Sequence, residues 1–119
     1  MNHLFSEIRA NMPDTGKVFL ETHDGRQITY GDVLTLSARY ANALTDIGVA
    51  PGDRVAVQVE KTPEALMLYL ATVRAGGVFL PLNTAYTPSE IDYFVTDAEP
   101  AVLVCDPSKA DALAATAKK

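Results

Sequence analysis

The chain has 119 residues, of which 48% are hydrophobic and 21% charged, and its formal net charge is −5 at pH 7. This size and composition are typical of one globular domain and exclude a disordered, collagen-like or disulfide-rich chain. The acidic balance disfavours nucleic acid as a partner, because nucleic acid attracts surfaces rich in lysine and arginine. No segment approaches the roughly 20 apolar residues that a membrane-spanning helix needs. With one cysteine and no signal-peptide pattern in residues 1–5, the sequence predicts a cytoplasmic protein.

The first quarter of the chain predicts a helix followed by a hairpin. Residues 3–11 have the apolar spacing of a short amphipathic helix. Residues 18–20 and 27–29 predict two short strands, and the polar corner at residues 23–26 between them favours a β-hairpin.

The next helix has a marked beginning and a marked end. Thr29-Tyr30-Gly31-Asp32 resembles a capping box in which Asp replaces the usual Glu or Gln. Gly48 predicts the helix end, and Pro51 prevents its resumption. The predicted core side of the helix carries apolar residues three or four positions apart, at Val33, Leu36, Tyr40, Leu44 and Ile47.

A strand, a helix and a second strand follow. Residues 55–59 are apolar at four of five positions, as in a strand that is covered on both faces. Thr62-Pro63 predicts a helix start, Gly76-Gly77 its end, and residues 78–82 the next strand. The predicted apolar stripe of this helix consists of Leu66, Tyr69, Leu70 and Val73.

The last third repeats this alternation. Thr87-Pro88-Ser89-Glu90 is a full capping box with proline at the first helical position. Residues 101–105 predict another buried strand, and Asp106-Pro107 predicts the start of a final helix. Strands that alternate with helices at this spacing predict an α/β fold with a mostly parallel sheet and right-handed crossovers.

The polar residues show no catalytic or metal-binding pattern. Gly76-Gly77 follows a helix and precedes a strand, which is the reverse of the order in a phosphate-binding loop. His3 and His23 lie too far apart for a metal-ligand pattern, and Cys105 closes an apolar strand as a small hydrophobe. We therefore predict no catalytic residue and no metal ligand in this chain.

Lys109 stands above this background. It falls in the first turn of the final predicted helix, directly after a strand end, where open sheets bind ligands. A solvated helix residue is the alternative interpretation.

Three motifs follow one another along the chain: Thr29-Tyr30 at a helix start, a turn over Gly48–Val55, and a helix end and strand over Arg74–Asn83. Their order resembles the opening segment of the adenylate-forming (AMP-binding) acyl-CoA synthetases. Residues 60–77 and 81–100 contain a narrower likeness, to bacterial malonyl-CoA and methylmalonyl-CoA synthetases.

The resemblance implies the fold of the N-terminal part of the synthetase large domain. Residues 1–119 would then be a truncated segment, because the helical run to Lys118-Lys119 has no C-cap. The parent enzyme would use ATP, Mg²⁺ and CoA to convert malonate or methylmalonate into acyl-CoA, AMP and pyrophosphate through an acyl-adenylate. Some CoA ligases contact CoA phosphates with a basic residue after the strand that corresponds to residues 102–105, which makes Lys109 a candidate CoA contact.

The family's phosphate loop, Thr-Glu motif, ribose-binding Asp and catalytic Lys have no counterpart here. We therefore expect the chain to be inert alone, with the rest of the synthetase as its partner. The scaffold motifs also fit the adenylation domain of a peptide synthetase, and a free-standing, non-catalytic α/β binding module is a third possibility. If the parent sheet continues, the segment would expose an apolar face and an open strand edge, and would be marginally stable or self-associating.

Overall fold

The computed structural model describes residues 3–105 and Leu113. The final predicted helix, from Asp106-Pro107 onward, therefore lies outside the described residues except at Leu113, which is helical and buried. The described elements are, in chain order, α1 (His3–Ala10), β1 (Val18–Glu21), β2 (Gln27–Thr29), α2 (Tyr30–Asp46), β3 (Arg54–Gln58), α3 (Pro63–Arg74), β4 (Val78–Pro81), α4 (Pro88–Ala98) and β5 (Val102–Cys105). None of the described helices has the length and apolar content needed to cross a membrane.

The strands form two separate sheets. β1 and β2 pair antiparallel, which confirms the predicted hairpin. The central sheet has three strands in the order β4-β3-β5, and both of its pairs are parallel. The prediction of an α/β fold with a mostly parallel sheet is confirmed.

A threonine begins each of the three long helices. The Oγ1 atoms of Thr29, Thr62 and Thr87 accept the backbone N–H groups three residues further on, at 3.1, 3.1 and 3.3 Å. The carboxylates of Asp32 and Glu90 accept the N–H groups of Thr29 and Thr87 in return, so both predicted capping boxes are present. These caps satisfy N–H groups that the helices leave unpaired, and they fix where the chain turns away from each strand or loop.

β3 lies at the centre of the fold, and its strand neighbours and packed helices bury it almost completely. Val55 and Val57 face one side of the sheet, where they pack in a cluster with residues of α2 and α3. Ala56 faces the other side, in a cluster with Ile91 of α4 and with Leu113. The exposed fractions of these three β3 residues are only 0–3%. The helices that connect β3 to β4 and β4 to β5 therefore cover opposite faces of the sheet.

The predicted apolar stripes are wrong at several positions. Ile47 is 64% exposed, because it lies at the C-cap of α2, beyond the turns that pack on the sheet. On α3, Leu66 and Tyr69 are 36% and 37% exposed, whereas Met67 is fully buried. The face of α3 that packs on α2 and β3 is thus rotated from the predicted stripe, and it consists of Met67, Leu70, Ala71, Thr72 and Val73.

β5 also differs from its prediction as a buried strand. All four of its residues are half-buried, because β3 covers one of its edges and no described strand covers the other. Cys105 is accordingly half-buried and free, not fully enclosed.

Gly76 ends α3, as predicted, through a backbone conformation that favours glycine. Its φ angle is +83°, in the left-handed region that places a side chain against the backbone. The N–H of Gly76 donates to the carbonyl of Val73 at 3.0 Å, and its own carbonyl accepts the N–H of Gly52 at 2.9 Å. The same glycine therefore stops the helix and connects it to the turn before β3.

Replacement of Gly76 should destabilise the fold more than replacement of an unconstrained glycine. We expect Gly76→Ala to lower the free energy of unfolding by about 1–2 kcal/mol, since a left-handed alanine is strained. An added Cβ would also lie 3.3 Å from the Cβ of Pro51. Gly16→Ala is the control, because a Cβ there meets no atom within 4 Å. Urea denaturation followed by circular dichroism measures both variants, and equal effects would contradict the assignment.

Candidate functional site

The candidate site is a cleft at the carboxyl ends of β3 and β4, beside α3. Its volume is about 740 Å³ and it is open to solvent. Open parallel sheets bind ligands outside the carboxyl ends of their strands, which makes this position the natural candidate. The lining consists of Val57, Val59, Glu60, Lys61, Thr62, Ala65, Leu66, Tyr69, Phe79, Pro81, Leu82, Asn83 and Thr84.

The walls of the cleft are mainly apolar. The rings of Tyr69 and Phe79 pack edge to face, with centroids 5.1 Å apart and planes at 87°. Leu66 lies one turn before Tyr69 on α3 and is likewise part of the wall. The two residues whose burial the sequence analysis overestimated are therefore those that α3 presents to the cleft.

The rim of the cleft is polar, and two loops supply it. Glu60, Lys61 and Thr62 come from the loop between β3 and α3, while Asn83 and Thr84 come from the loop between β4 and α4. The charges of the adjacent Glu60 and Lys61 offset each other. The lining holds no Ser–His or Cys–His pair, so it can bind and orient a partly apolar group but has no activated nucleophile.

Gln58 holds the second of these loops in place. This last residue of β3 is 1% exposed, and its side-chain Nε2 donates to the carbonyls of Asn83 at 3.0 Å and Tyr86 at 3.3 Å. Asn83 Oδ1 in turn accepts the N–H of Ala85 at 2.8 Å, which closes a local turn. The sequence analysis missed this role, although a single polar residue at the end of an apolar strand was a usable signal.

The residues that the sequence singled out do not meet in the cleft. Lys109, the predicted CoA contact, lies outside the described residues. Gly76-Gly77 lies at the amino end of β4, opposite the cleft, and His23 lies in the exposed hairpin turn. Cys105 ends β5 on the far side of β3. Within residues 3–105 and Leu113, no group of three His, Cys, Asp or Glu side chains could hold a metal ion.

The displaced pKa values lie at the hairpin turn. A hydrogen bond from Arg26 lowers the pKa of Glu64, and the same contact, an ion pair of 2.5 Å, raises the pKa of Arg26. The hydroxyl of Thr22 donates to Asp24 and lowers the pKa of that carboxyl group. Because Glu64 lies in the first turn of α3, the ion pair connects the hairpin to the start of the helix that lines the cleft.

Loss of the Gln58 amide should destabilise the loop that borders the cleft. We expect Gln58→Met to lower the free energy of unfolding by about 1–3 kcal/mol, since it leaves two carbonyls without their donor. Gln27→Met is the matched control, because Gln27 is exposed on β2. Urea titration compares the variants, and a Gln58 effect no larger than that of the control would contradict the role of the amide.

Comparisons with known proteins were made for the whole chain. A sequence model described as "AMP-binding enzyme" matches residues 6–119. The feruloyl-CoA synthases of Amycolatopsis sp and Streptomyces sp are each 39% identical over 95 residues, which is 80% of this chain and 19% of theirs. Malpinin synthetase of Mortierella alpina is 35% identical over 106 residues, which is 89% of this chain and 1% of that protein.

Solved structures resemble the whole described fold. The crystal structures of apo and ATP-bound MatB from Rhodopseudomonas palustris match with a TM-score of 0.94 and 55% sequence identity. The match covers 99% of this chain but 24% of the MatB chain. The chain thus spans about a quarter of the length of MatB and about a fifth of the feruloyl-CoA synthases.

Proposed function

This chain belongs to the family of AMP-binding enzymes, and we propose that it forms the N-terminal segment of the large domain of a cytoplasmic, ATP-dependent acid–CoA ligase. The likeness to MatB, at 55% identity over nearly the full chain, is the observation that carries this proposal. MatB has been crystallised with ATP bound, which supports ATP as the nucleotide of the parent enzyme.

The proposed overall reaction activates a carboxylate in two stages. The carboxylate displaces pyrophosphate from the α-phosphorus of ATP, and the thiol of CoA then displaces AMP from the acyl-adenylate. Such a reaction needs cationic groups and Mg²⁺ to neutralise phosphate charge, and a carboxylate aligned with the α-phosphorus.

The described residues do not fit a Mg²⁺–ATP site. They contain no metal-binding cluster, and the charges of Glu60 and Lys61 at the cleft rim offset each other. We therefore assign no chemical step to them. Their proposed role is structural: β3, β4 and their loops form one wall of the large domain, and the reacting groups belong to the remainder of the polypeptide.

Malonate or methylmalonate is the proposed acyl substrate. The reason is the resemblance of residues 60–77 and 81–100 to malonyl-CoA and methylmalonyl-CoA synthetases. The described residues themselves contribute no malonate pocket to this argument.

The division of labour can be tested with two polypeptides. We expect the full open reading frame to form AMP from ATP and CoA in the presence of malonate or methylmalonate, and more slowly with acetate or benzoate. The 119-residue chain alone should give no malonate-dependent AMP, since it lacks the family's phosphate loop and catalytic lysine. Coupled AMP detection measures both. Turnover by the short chain, or none by the full reading frame with any carboxylate, would contradict the proposal.

Lys109 is proposed to contact a phosphate of CoA in the parent enzyme. We expect Lys109→Ala in the full-length protein to raise the KM for CoA several-fold and leave the KM for ATP and malonate unchanged, because one cationic contact to a phosphate is lost. Lys118→Ala is the matched control. Steady-state kinetics with CoA as the varied substrate checks this, and equal KM values for the two variants would remove Lys109 from the CoA site.

An adenylation domain of a peptide synthetase is the second candidate. The similarity to malpinin synthetase and to a linear gramicidin synthase of Brevibacillus parabrevis, of which the matched segment is 1% each, favours keeping it. A carrier-protein domain encoded downstream, together with acyl transfer to that domain and not to CoA, would support this candidate. A free-standing binding module would instead give no AMP with any carboxylate.

A further inference from the structure

The outer edge of β5 carries unpaired backbone groups. The N–H of Ala101 donates to the carbonyl of Arg54 at 2.8 Å, so residues 101, 103 and 105 present their backbone groups to β3. Backbone groups alternate between the two edges of a strand, and those of Val102 and Val104 therefore point away from β3. No residue in the described part of the chain forms a hydrogen bond with these two N–H donors and two carbonyl acceptors.

The outer edge of β4 is different. The N–H groups of Val78 and Leu82 donate to carbonyls next to and within β3, at 2.7 and 2.8 Å, so Phe79 and Pro81 point outward. Proline has no N–H, which leaves Phe79 as the single outward donor of this strand. Proline on an outward position is a common feature of natural edge strands, because it prevents further pairing.

The side chains of β5 are also those of an internal strand. Val102 and Val104 pack against the α2–α3 side of the sheet, while Leu103 and Cys105 pack against the α4 side. The strand has no charged residue, no proline and no bulge that would protect an edge. Strands that are apolar on both faces are typical of the interior of parallel sheets.

The order of the strands indicates the same direction of growth. With β3 counted as the first strand of the parallel sheet, the order β4-β3-β5 is 2-1-3. One common doubly wound order is 2-1-3-4-5, in which the fourth strand lies beside the third. In this order the next strand pairs with β5, and β4 remains an edge.

We propose that the outer edge of β5 pairs in parallel with a later strand of the same polypeptide, one that is apolar on both faces and follows a crossover helix. The inference rests on the proposed function, in which this chain is a segment of a longer enzyme. The matched segment is only 24% of the MatB chain, which leaves ample polypeptide to supply this strand. The β5 edge, and not β4 or the cleft, is thus the main junction between this segment and the next part of the sheet.

Hydrogen exchange on the full reading frame tests the proposal without any substitution. We expect the amides of Val102 and Val104 to exchange at least 100-fold more slowly than the outward amide of Phe79, because only the first two gain a partner in a stable sheet. Residue-resolved exchange by NMR or by mass spectrometry with electron-transfer fragmentation gives these rates. Exchange of Val102 and Val104 as fast as that of Phe79 would overturn the proposal.

A second measurement uses one variant in two contexts. Val104→Pro removes an outward N–H, which an edge strand tolerates and an internal strand does not. We expect the Tm of the full-length protein to fall by several degrees and that of the 119-residue chain to change little. An unchanged Tm in the full-length protein would count against an added strand.

The remaining outcomes separate this inference from its premise. Protection of Val102 and Val104 that appears in the 119-residue chain and rises with its concentration would identify a second copy as the occupant, and a reading frame that ends at Lys119 would leave no strand to add; either result overturns the proposal. Ligase activity is read independently, so an inactive full-length protein with a protected β5 would contradict the proposed function alone.

Discussion

The burial of β3 is the constraint on which the rest of the structure depends. Val55, Ala56 and Val57 are almost inaccessible to water, with helices packed on both faces and a strand on each edge. A strand in this position requires small or branched apolar side chains that alternate between two cores. It also requires that the two crossover helices lie on opposite faces, which α3 and α4 do. The position of the cleft follows, because the loops that leave β3 and β4 diverge at the carboxyl edge of the sheet.

Much of this fold is readable from local sequence. The Thr29–Asp32 and Thr87–Glu90 caps and the glycine after α3 act within a few residues of the chain, so their chemistry needs no tertiary context. The apolar run around β3 predicts a strand covered on both faces for the same reason. The resemblance to adenylate-forming enzymes also rests on these scaffold motifs, which explains why the family could be identified while no catalytic residue could.

The cleft was harder to predict because it depends on how elements pack. Periodicity gives α3 an apolar side but not the angle at which that side meets the sheet, so Leu66 and Tyr69 were assigned to the core although they line the cleft. Gln58 was overlooked because its hydrogen bonds reach a loop 25 and 28 residues away. The half-burial of β5 could not be read from its sequence either, since that sequence has the pattern of a fully covered strand.

The pairing of β3 with β5 has a consequence for synthesis of the protein on the ribosome. Val55 pairs with Val102, so the central strand emerges roughly 50 residues before one of its two partners. At typical elongation rates this interval lasts about 3 to 10 s. During that time the most apolar strand of the nascent chain has an uncovered side, and it is vulnerable to association with other nascent chains. Slow translation between the codons of β4 and β5 would lengthen this exposure, and chaperone capture would be most useful in the same interval.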